Sequence, residues 1–380
     1  MQLALTEDQE LIGKTVADFV SEKSPLSRVR ELRDSGDPLG FSRPLWKEMA
    51  ELGWVGIPLP EAHGGAGLGL AELTVVLEAL GRTLAPEPFL SSVLLAGQAL
   101  ALAGSEAQQE AWLPGIAAGE KLAALAFQEP RSRYDVRHIA TRAEPQGDGW
   151  TLTGEKIQVL DAGSADVLVV SARTSGADGD AEGIELFLVP AGASGLEVVA
   201  QQRVDHRAAA IVRLSGVGVD ADARLGEAGA AGDLLEAVID RATVGLCAEM
   251  LGAMSEAFDL TLAHLKERKQ FDTVIGSFQA LKHRAADVFI EIELSRSTLM
   301  AAARALDEKD ADARRLVSLA KARCSDAFML AANEGVQMFG GVGMTDEYDI
   351  GFYLKRARAA ELTFGDAAFH RARWATLSEY

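Results

Sequence analysis

The spacing of apolar residues changes twice along the chain, and this change limits the possible folds more than any other feature. In the first region, to about residue 125, leucines recur at helical spacing in AELTVVLEALGRTLA. From about 126 to 226, short runs rich in Val, Ile, Leu and Thr are bounded by Gly, Asp and Pro, as strands are. From about 230 onward, long periodic runs with few helix-breaking residues return. The order is therefore helical domain, small β domain and helical bundle.

Individual elements can be placed within this outline. GWTLTGEKIQVL, ADVLVVSART and GIELFLVP are predicted strands, and the acidic run SGADGDAEG is a surface hairpin connection. One long helix is predicted through GDLLEAVIDRATVGLCAEMLGAMSEAFDLTLAHLKERK, with others at about 278–306 and 311–339 and a last C-terminal piece. We predict an α+β multidomain chain with an N-terminal all-α domain (1–125), a middle β-sandwich or barrel domain (126–228) and a C-terminal four-helix bundle (229–380).

Composition and charge argue against several classes of protein. The net charge of -19 and the absence of a basic stripe argue against nucleic-acid binding. No run reaches the ~20 apolar residues of a membrane span, and the start MQLALTEDQELIG lacks a basic leader, so we expect a cytoplasmic protein. Cys247 and Cys324 lie in apolar helical patterns and are expected to be buried, and no His or Cys spacing predicts a metal site.

The first bundle helix carries a carboxylate on an apolar face. Asp240 shares helical spacing with Val244, Cys247 and Leu251. A second stripe permits close approach of a helix or a flat ligand because its members after the first are small; it consists of Arg241, Gly245, Ala248 and Gly252. Asp240 and Arg241 are either functional, or lie at the wet end of the helix, or pair with other charges.

Two further segments could bind a ligand. In KERKQFD, Arg268 can grip a phosphate and Phe271 can lie flat beside an adenine, although a basic last turn also complements a helix dipole. In ANEGVQMFGGVGMTDEY, Gly340 and Gly341 allow close approach of backbone N–H groups, although the same glycines could simply end a helix. This glycine turn does not follow a strand, so it is not a Rossmann fingerprint.

Four segments in order resemble signatures of the acyl-CoA dehydrogenase family, and the resemblance covers essentially the whole chain. They are LGWVGIPLPEAHGGAGLG, LPGIAAGEKLAALAFQEP, RKQFD with FQALKH, and QMFGGVGMTDEY. The resemblance implies FAD as cofactor, tetramers built from dimers, and α,β-dehydrogenation of an acyl-CoA thioester. In that reaction a carboxylate takes the α-proton and the flavin takes the β-hydride.

The chain departs from the family pattern at the base. Where the family has Tyr-Glu-Gly-Thr, with Glu as the base, this sequence has Phe364 within TFGD. Phe364 cannot take a proton, so we expect no catalytic residue there and interpret it as a core-filling aromatic. Some members carry the base on the first bundle helix before an arginine, which makes Asp240, with Arg241 in support, the weak fallback.

The chain also departs where the family holds its own flavin. The family's Trp-Ile-Thr/Ser run, which packs on the flavin and hydrogen-bonds its N5 edge, is replaced by Gln158, Val159 and Leu160. Leu160 has no hydrogen-bond donor. The match is kept at the positions that reach the ADP half of a neighbour's FAD, namely Arg268, Phe271, Gln337, Gly340 and Gly341.

The resemblance therefore implies a non-catalytic (β) subunit of a heteromeric α2β2 acyl-CoA dehydrogenase, such as those of actinobacterial steroid side-chain degradation. FAD would be shared with a homologous α subunit, which would also hold the acyl-CoA. Two alternatives remain open: a homomeric dehydrogenase with Asp240 as base, and a flavin monooxygenase or nitroalkane-oxidase-like enzyme on the same fold.

Overall fold

The computed structural model describes residues 4–380, and its internal contacts define two compact units. The first unit, here the bundle unit, comprises the chain up to Asp34, Gly69–Ala85 and Thr243–Tyr380. The second, here the sheet unit, comprises Ser35–Leu68 and Pro86–Ala242. The three-part division by sequence, with boundaries near residues 125 and 228, stays a prediction.

The described residues form helices and strands in an α–β–α order along the chain. The helices are α1 (Glu7–Lys23), α2 (Leu26–Ser35), α3 (Arg43–Glu51), α4 (Leu70–Arg82), a π-helical segment (Phe89–Gly97), α5 (Gln98–Ala103), α6 (Glu106–Ala117), α7 (Ala231–Glu267), α8 (Gln279–Asp307), α9 (Ala313–Phe339), α10 (Ile350–Leu362) and α11 (Ala367–Leu377). The strands are β1 (Ala123–Ala126), β2 (Arg142–Gln146), β3 (Gly149–Leu160), β4 (Val167–Arg173), β5 (Ile184–Pro190), β6 (Leu196–Gln201), β7 (Ala209–Val219), β8 (Arg224–Leu225), β9 (Lys269–Gln270) and β10 (Thr273–Val274).

The sheet unit is built on one eight-stranded sheet. Its strand order is β6-β7-β3-β2-β4-β5-β8, and β1 adds to β4 in parallel. All three predicted strands are confirmed as β3, β4 and β5, and the acidic run joins the antiparallel pair β4 and β5. Every residue of β4 is buried, which explains its continuous apolar run.

The remaining strands of this sheet were not predicted from the sequence. β1 has the sequence AALA, which favours a helix by intrinsic propensity. Its pairing with β4 along Ala123–Val167 to Ala126–Val170 decides its conformation instead. β7 pairs along most of β3, with register shifts that mark bulges. Long-range pairing of this kind leaves only a weak local signal.

Backbone carbonyls of the acidic connection between β4 and β5 surround the buried guanidinium of Arg173. Arg173 is 0% exposed although it ends β4. It donates hydrogen bonds to backbone carbonyl oxygens of this loop and of the segment before β2. These acceptors are Ile139 (3.0 Å), Arg137 (3.0 Å), Asp178 (3.2 Å), Asp180 (2.9 Å) and Glu182 (2.6 Å).

Three long helices lie wholly or mostly in the bundle unit, as the periodicity predicts, and α7 enters it at Thr243. α7, α8 and α9 have 37, 29 and 27 residues, and α10 and α11 complete the unit after a glycine turn. At the start of the chain, Thr6 and Gln9 form a capping box on α1. Among the described residues, no helix combines the length and the hydropathy that a membrane crossing needs.

Helices α4 and α7 cross where both carry glycine. A Cβ added to Gly252 would lie 1.8 Å from the Glu78 carbonyl oxygen, and one added to Gly81 would lie 2.2 Å from the Glu249 carbonyl oxygen. The small-residue stripe of α7 therefore admits a helix at Gly252, one of the two occupants that the sequence allows.

Candidate functional site

A strained hairpin follows α7 at one end of the bundle unit. β9 and β10 pair antiparallel and leave only Phe271 and Asp272 in the loop. Both loop residues have positive φ, +55° and +59°, which is the signature of a type I′ turn that normally takes Asn and Gly. An aromatic residue in this conformation carries backbone strain, and such strain is typical of functional sites.

The hairpin presents Phe271 to solvent. Phe271 is 87% exposed, and its nearest ring is that of Phe278, 6.1 Å away and nearly perpendicular. Arg268, which directly follows α7, is exposed as well, and its backbone carbonyl accepts a hydrogen bond from the Ile275 N–H at 2.9 Å. The hairpin therefore offers one guanidinium and one open aromatic face.

A glycine turn ends α9. Gly340 has φ +70°, and its N–H caps the helix by donating to the Gln337 carbonyl, so the helix-ending interpretation is confirmed. The ligand interpretation is also compatible, because Cβ atoms added at Gly340 and Gly341 would meet nothing within 4 Å. Gln337, in the last turn of α9, is exposed. The turn leaves open space beside its backbone.

An aromatic stack joins the end of α7 to the end of α9. The rings of His264 and Phe339 are stacked 4.2 Å apart at 14°. Tyr348 packs edge-on against both, at 6.4 Å from His264 and 5.6 Å from Phe339. Burial and the neighbouring Arg268 charge lower the pKa of His264, which favours the neutral ring. The stack brings the hairpin and the glycine turn to the same end of the bundle.

His264 was not among the candidate site residues of the sequence. The only signal that could have found it is its position four residues before Arg268, whose N–H donates to the His264 carbonyl oxygen at 2.9 Å. A guanidinium, an exposed aromatic ring and open space beside a glycine backbone together suit an anionic ligand with a flat ring system, such as a nucleotide. Among the residues that the structure describes, there is no group of three His, Cys, Asp or Glu that could hold a metal ion.

The Phe364 corner lies between α10 and α11. Asp366 caps α11 by accepting from the Phe369 N–H at 2.8 Å. Phe364 has φ +60° and is half-buried. Our interpretation of Phe364 as a core-filling aromatic is therefore wrong, because its side chain is not enclosed in the core of this chain. It occupies a strained position at the edge of the corner.

Two buried polar side chains hold this corner. His370 Nε2 lies 3.0 Å from the Phe364 carbonyl oxygen, and its Nδ1 is buried with no hydrogen-bond partner. Lys321 is 0% exposed. Its ammonium donates to three oxygens, those of Gly365 (carbonyl, 2.8 Å), Glu361 (carbonyl, 3.0 Å) and Ser325 (Oγ, 3.1 Å).

Burial shifts the acid–base properties of this cluster. Desolvation lowers the pKa of Lys321 to about 8, and desolvation together with the Lys321 charge lowers the pKa of His370 to about 3. Both Cys247 and Cys324 are buried, as predicted, and burial raises the pKa of the Cys247 thiol well above its usual value. The cluster is buried and supports the corner through its hydrogen bonds to backbone carbonyl oxygens.

The fallback residue Asp240 is buried in α7. It is 3% exposed and shares its face with Val244, Cys247 and Leu251, which are all buried, so the predicted apolar face is confirmed. The interpretation that Asp240 lies at the solvent-exposed end of the helix is therefore wrong. Arg241, the next residue, is half-buried. Whether Asp240 acts as a base stays a prediction.

At the end of β3, this chain has the apolar Leu160 where the family that it resembles has a Thr or Ser that can donate a hydrogen bond. Leu160 is 5% exposed and pairs with Ala209 of β7. Gln158 lies in a bulge with φ +54°, and its N–H donates to Gln201 Oε1 at 3.1 Å. The only polar groups at position 160 are therefore those of the backbone.

Comparison with known families identifies the class. Three family models match consecutive parts of the chain: "Acyl-CoA dehydrogenase, N-terminal domain" at residues 6–120, "middle domain" at 124–215 and "C-terminal domain" at 233–376. The fold and the three matches define an acyl-CoA dehydrogenase, and this chain belongs to that family of FAD-dependent oxidoreductases.

Individual relatives are similar over nearly their whole length. Acyl-CoA dehydrogenase FadE27 of Mycobacterium tuberculosis (strain ATCC 25618 / H37Rv) is 31% identical over 97% of this chain and 96% of its own. The structure of the ChsE4-ChsE5 complex from Mycobacterium tuberculosis matches with a TM-score of 0.89 and 31% identity over 100% of both chains. The Tcur3481-Tcur3483 steroid ACAD, solved as a variant, matches with a TM-score of 0.87 and 31% identity over 98% of both chains.

Proposed function

We propose that this chain is the non-catalytic (β) subunit of a heteromeric FAD-dependent acyl-CoA dehydrogenase, and that it completes the ADP half of an FAD bound by a homologous α subunit. The observation that carries the proposal is the contrast between two regions. Arg268, Phe271 and the Gly340–Gly341 turn are exposed and open, whereas position 364 carries an aromatic side chain in place of a carboxylate.

The residues at the end of the bundle unit fit the ADP portion of FAD. Arg268 would pair with phosphate oxygens and Phe271 would stack beside the adenine. The phosphates would lie in the open space beside the Gly340 and Gly341 backbone, with Gln337 nearby. When bound, the flavin supplies hydride acceptance for α,β-dehydrogenation of the acyl-CoA. This chain would bind and orient the nucleotide, and the partner would supply the base.

The heteromeric assembly is supported by two of the similar structures. The names of the ChsE4-ChsE5 complex and of the Tcur3481-Tcur3483 steroid ACAD each contain two components. The name of the Tcur3481-Tcur3483 protein also contains the word steroid. We infer an α2β2 assembly in the cytoplasm and a steroid side-chain CoA ester as the substrate class. Phe271 has a strained backbone and an exposed side chain, which fits a surface that is completed by another chain.

A visible absorption spectrum tests the proposal. The chain purified alone should be colourless, and the complex formed by co-expression with the acyl-CoA dehydrogenase encoded next to it should be yellow, with one flavin per unlike pair. Arg268→Ala should lower the flavin content of the complex, because a phosphate contact is lost. Arg315→Gln, which removes another partly exposed arginine, is the matched control. A yellow, active homotetramer of this chain alone would refute the proposal.

One observation favours a second candidate, a homomeric dehydrogenase with Asp240 as the base. Asp240 is a buried carboxylate on an apolar face, an environment in which carboxylates serve as bases. This candidate requires that acyl-CoA reduces flavin bound by the chain alone. It also requires that Asp240→Ala abolishes turnover and leaves FAD bound. If the chain without a partner never binds flavin, this second candidate is eliminated.

A further inference from the structure

A pair of arginines on α2 holds the segment that follows the glycine turn. Arg33 makes a two-pronged contact with Asp346, at 2.7 Å to Oδ1 and 2.9 Å to Oδ2. Arg30 donates to the backbone carbonyl of Asp346 at 2.7 Å, to its Oδ2 at 3.0 Å, and to Asp349 Oδ1 at 2.8 Å. Two cations therefore bind two carboxylates and one backbone oxygen within four consecutive residues.

The two guanidinium groups are held in place by an aromatic ring. Arg30 and Arg33 lie three residues apart and so share one face of α2. Their Cζ atoms lie 4.8 Å and 5.1 Å from the centre of the Phe352 ring, and Phe352 is only 5% exposed. Stacking on a buried ring restricts the arginines before they meet the carboxylates, so less side-chain freedom is lost when the pairs form.

The gripped segment is the direct continuation of the candidate nucleotide site. The glycine turn covers Gly340–Met344, and Asp346 follows two residues later. Tyr348 holds this segment through the contacts of its ring with Phe339 and His264. Arg30 and Arg33 hold it through their ion pairs with Asp346 and Asp349. The turn is thus supported in two ways, one aromatic and one ionic.

We propose that Arg30 and Arg33 are positioning residues, which clamp residues 345–349 to α2 and so hold the Gly340–Gly341 turn in the shape that receives the nucleotide. This inference rests on the proposed function for the identity of the ligand. It adds an element from the beginning of the chain, α2, to a site whose other members all come from its last third. Neither arginine contacts the nucleotide in this account.

Two measurements on the complex with the partner test the clamp. The double variant Arg30→Gln/Arg33→Gln should speed backbone hydrogen exchange of residues 341–348 and should raise the Kd for FAD, each about two- to fivefold for every pair lost. Because Asp346 and its pairs are partly exposed, added salt should weaken FAD binding in the parent complex more than in the double variant. A merely structural role would not change this salt dependence.

Controls separate the clamp from general damage. Arg315→Gln removes a comparable pair at the opposite end of α9 and should change neither measurement. The exchanged pair Arg33→Asp/Asp346→Arg should restore part of the lost FAD affinity. If the double variant fails to fold, the smaller change Asp346→Asn takes its place. It should also raise the Kd for FAD.

The outcomes distinguish this inference from the proposed function. If Arg268→Ala weakens FAD binding while the clamp variants leave both the Kd and its salt dependence unchanged, the clamp is overturned and the proposed function stands. If neither Arg268→Ala nor the clamp variants change FAD binding, both are overturned. The inference is supported only if the clamp variants show both faster hydrogen exchange and weaker FAD binding.

Discussion

At the scale of single residues, the most demanding position is Lys321. A fully buried ammonium is costly unless its hydrogen bonds are satisfied, and here two of its three acceptors are backbone carbonyls at the Phe364 corner. Glu361, near the end of α10, has a carbonyl that no further turn of helix can satisfy. Lys321 therefore acts as an internal cap for α10, supplied by α9.

Lys321→Met should lower the free energy of unfolding by about 1–3 kcal/mol, because it leaves buried carbonyl oxygens without a donor. Denaturant titration with the circular dichroism signal measures the change. Lys14→Met, on the exposed face of α1, is the control and should stay within about 0.5 kcal/mol of the parent. Equal stability of the two variants would show that water replaces the ammonium at the corner.

His370 should make the chain sensitive to mild acid. Its pKa is about 3 in the folded chain and 6.5 when unfolded, so only the unfolded state takes up a proton between these values. The contribution to stability is complete above pH 6.5 and is lost progressively as the pH falls toward 3.

His370→Gln keeps a donor for the Phe364 carbonyl and removes this titration, so it should retain about 2 kcal/mol more of its stability than the parent between pH 6.5 and 5. Unfolding curves at several pH values give the slope. His283→Gln, at an exposed position on α8, should leave the parent slope unchanged. If the free energy of unfolding of His370→Gln falls with pH as steeply as that of the parent, another group dominates the pH dependence in this range.

At the scale of elements, the crossing of α4 and α7 depends on the absence of side chains. Gly252→Ala should destabilise the chain by about 1–3 kcal/mol, because the new methyl group would meet the backbone of α4, which cannot move aside as a flexible side chain can. Thermal unfolding measures the loss. Gly351→Ala in α10 has nothing within 4 Å and should be neutral or stabilising by up to about 1 kcal/mol. Similar effects at both positions would contradict close packing at Gly252.

The elements also show what the sequence can and cannot predict. The long helices were predicted to within a few residues, because α8 and α9 keep a helical period over many turns. β1 could not be predicted, because its four residues are strand only through pairing with β4. His264 was missed for the same reason: its role comes from a ring on α9, far away in sequence. The half-burial of Phe364 could not be predicted either, because it depends on packing that no local pattern encodes.

At the scale of the whole molecule, the net charge of -19 governs solubility. The sequence pI is about 4.8, so the repulsion that keeps copies apart vanishes near that pH. Turbidity of the purified chain should reach its maximum close to pH 4.8 and should be low at pH 7. A maximum displaced by more than about one pH unit would indicate that titrating carboxylates are strongly shifted on folding.

The ring of carbonyl oxygens around Arg173 has a practical consequence for engineering. By composition, the acidic, glycine-rich connection after β4 is the obvious place to insert a tag or a reporter domain. Yet the carbonyl oxygens of Asp178, Asp180 and Glu182 in this connection accept hydrogen bonds from the buried Arg173 guanidinium, much as a chelator surrounds a metal ion. An insertion there would remove acceptors from a buried charge, and the loop that looks most permissive would be among the least.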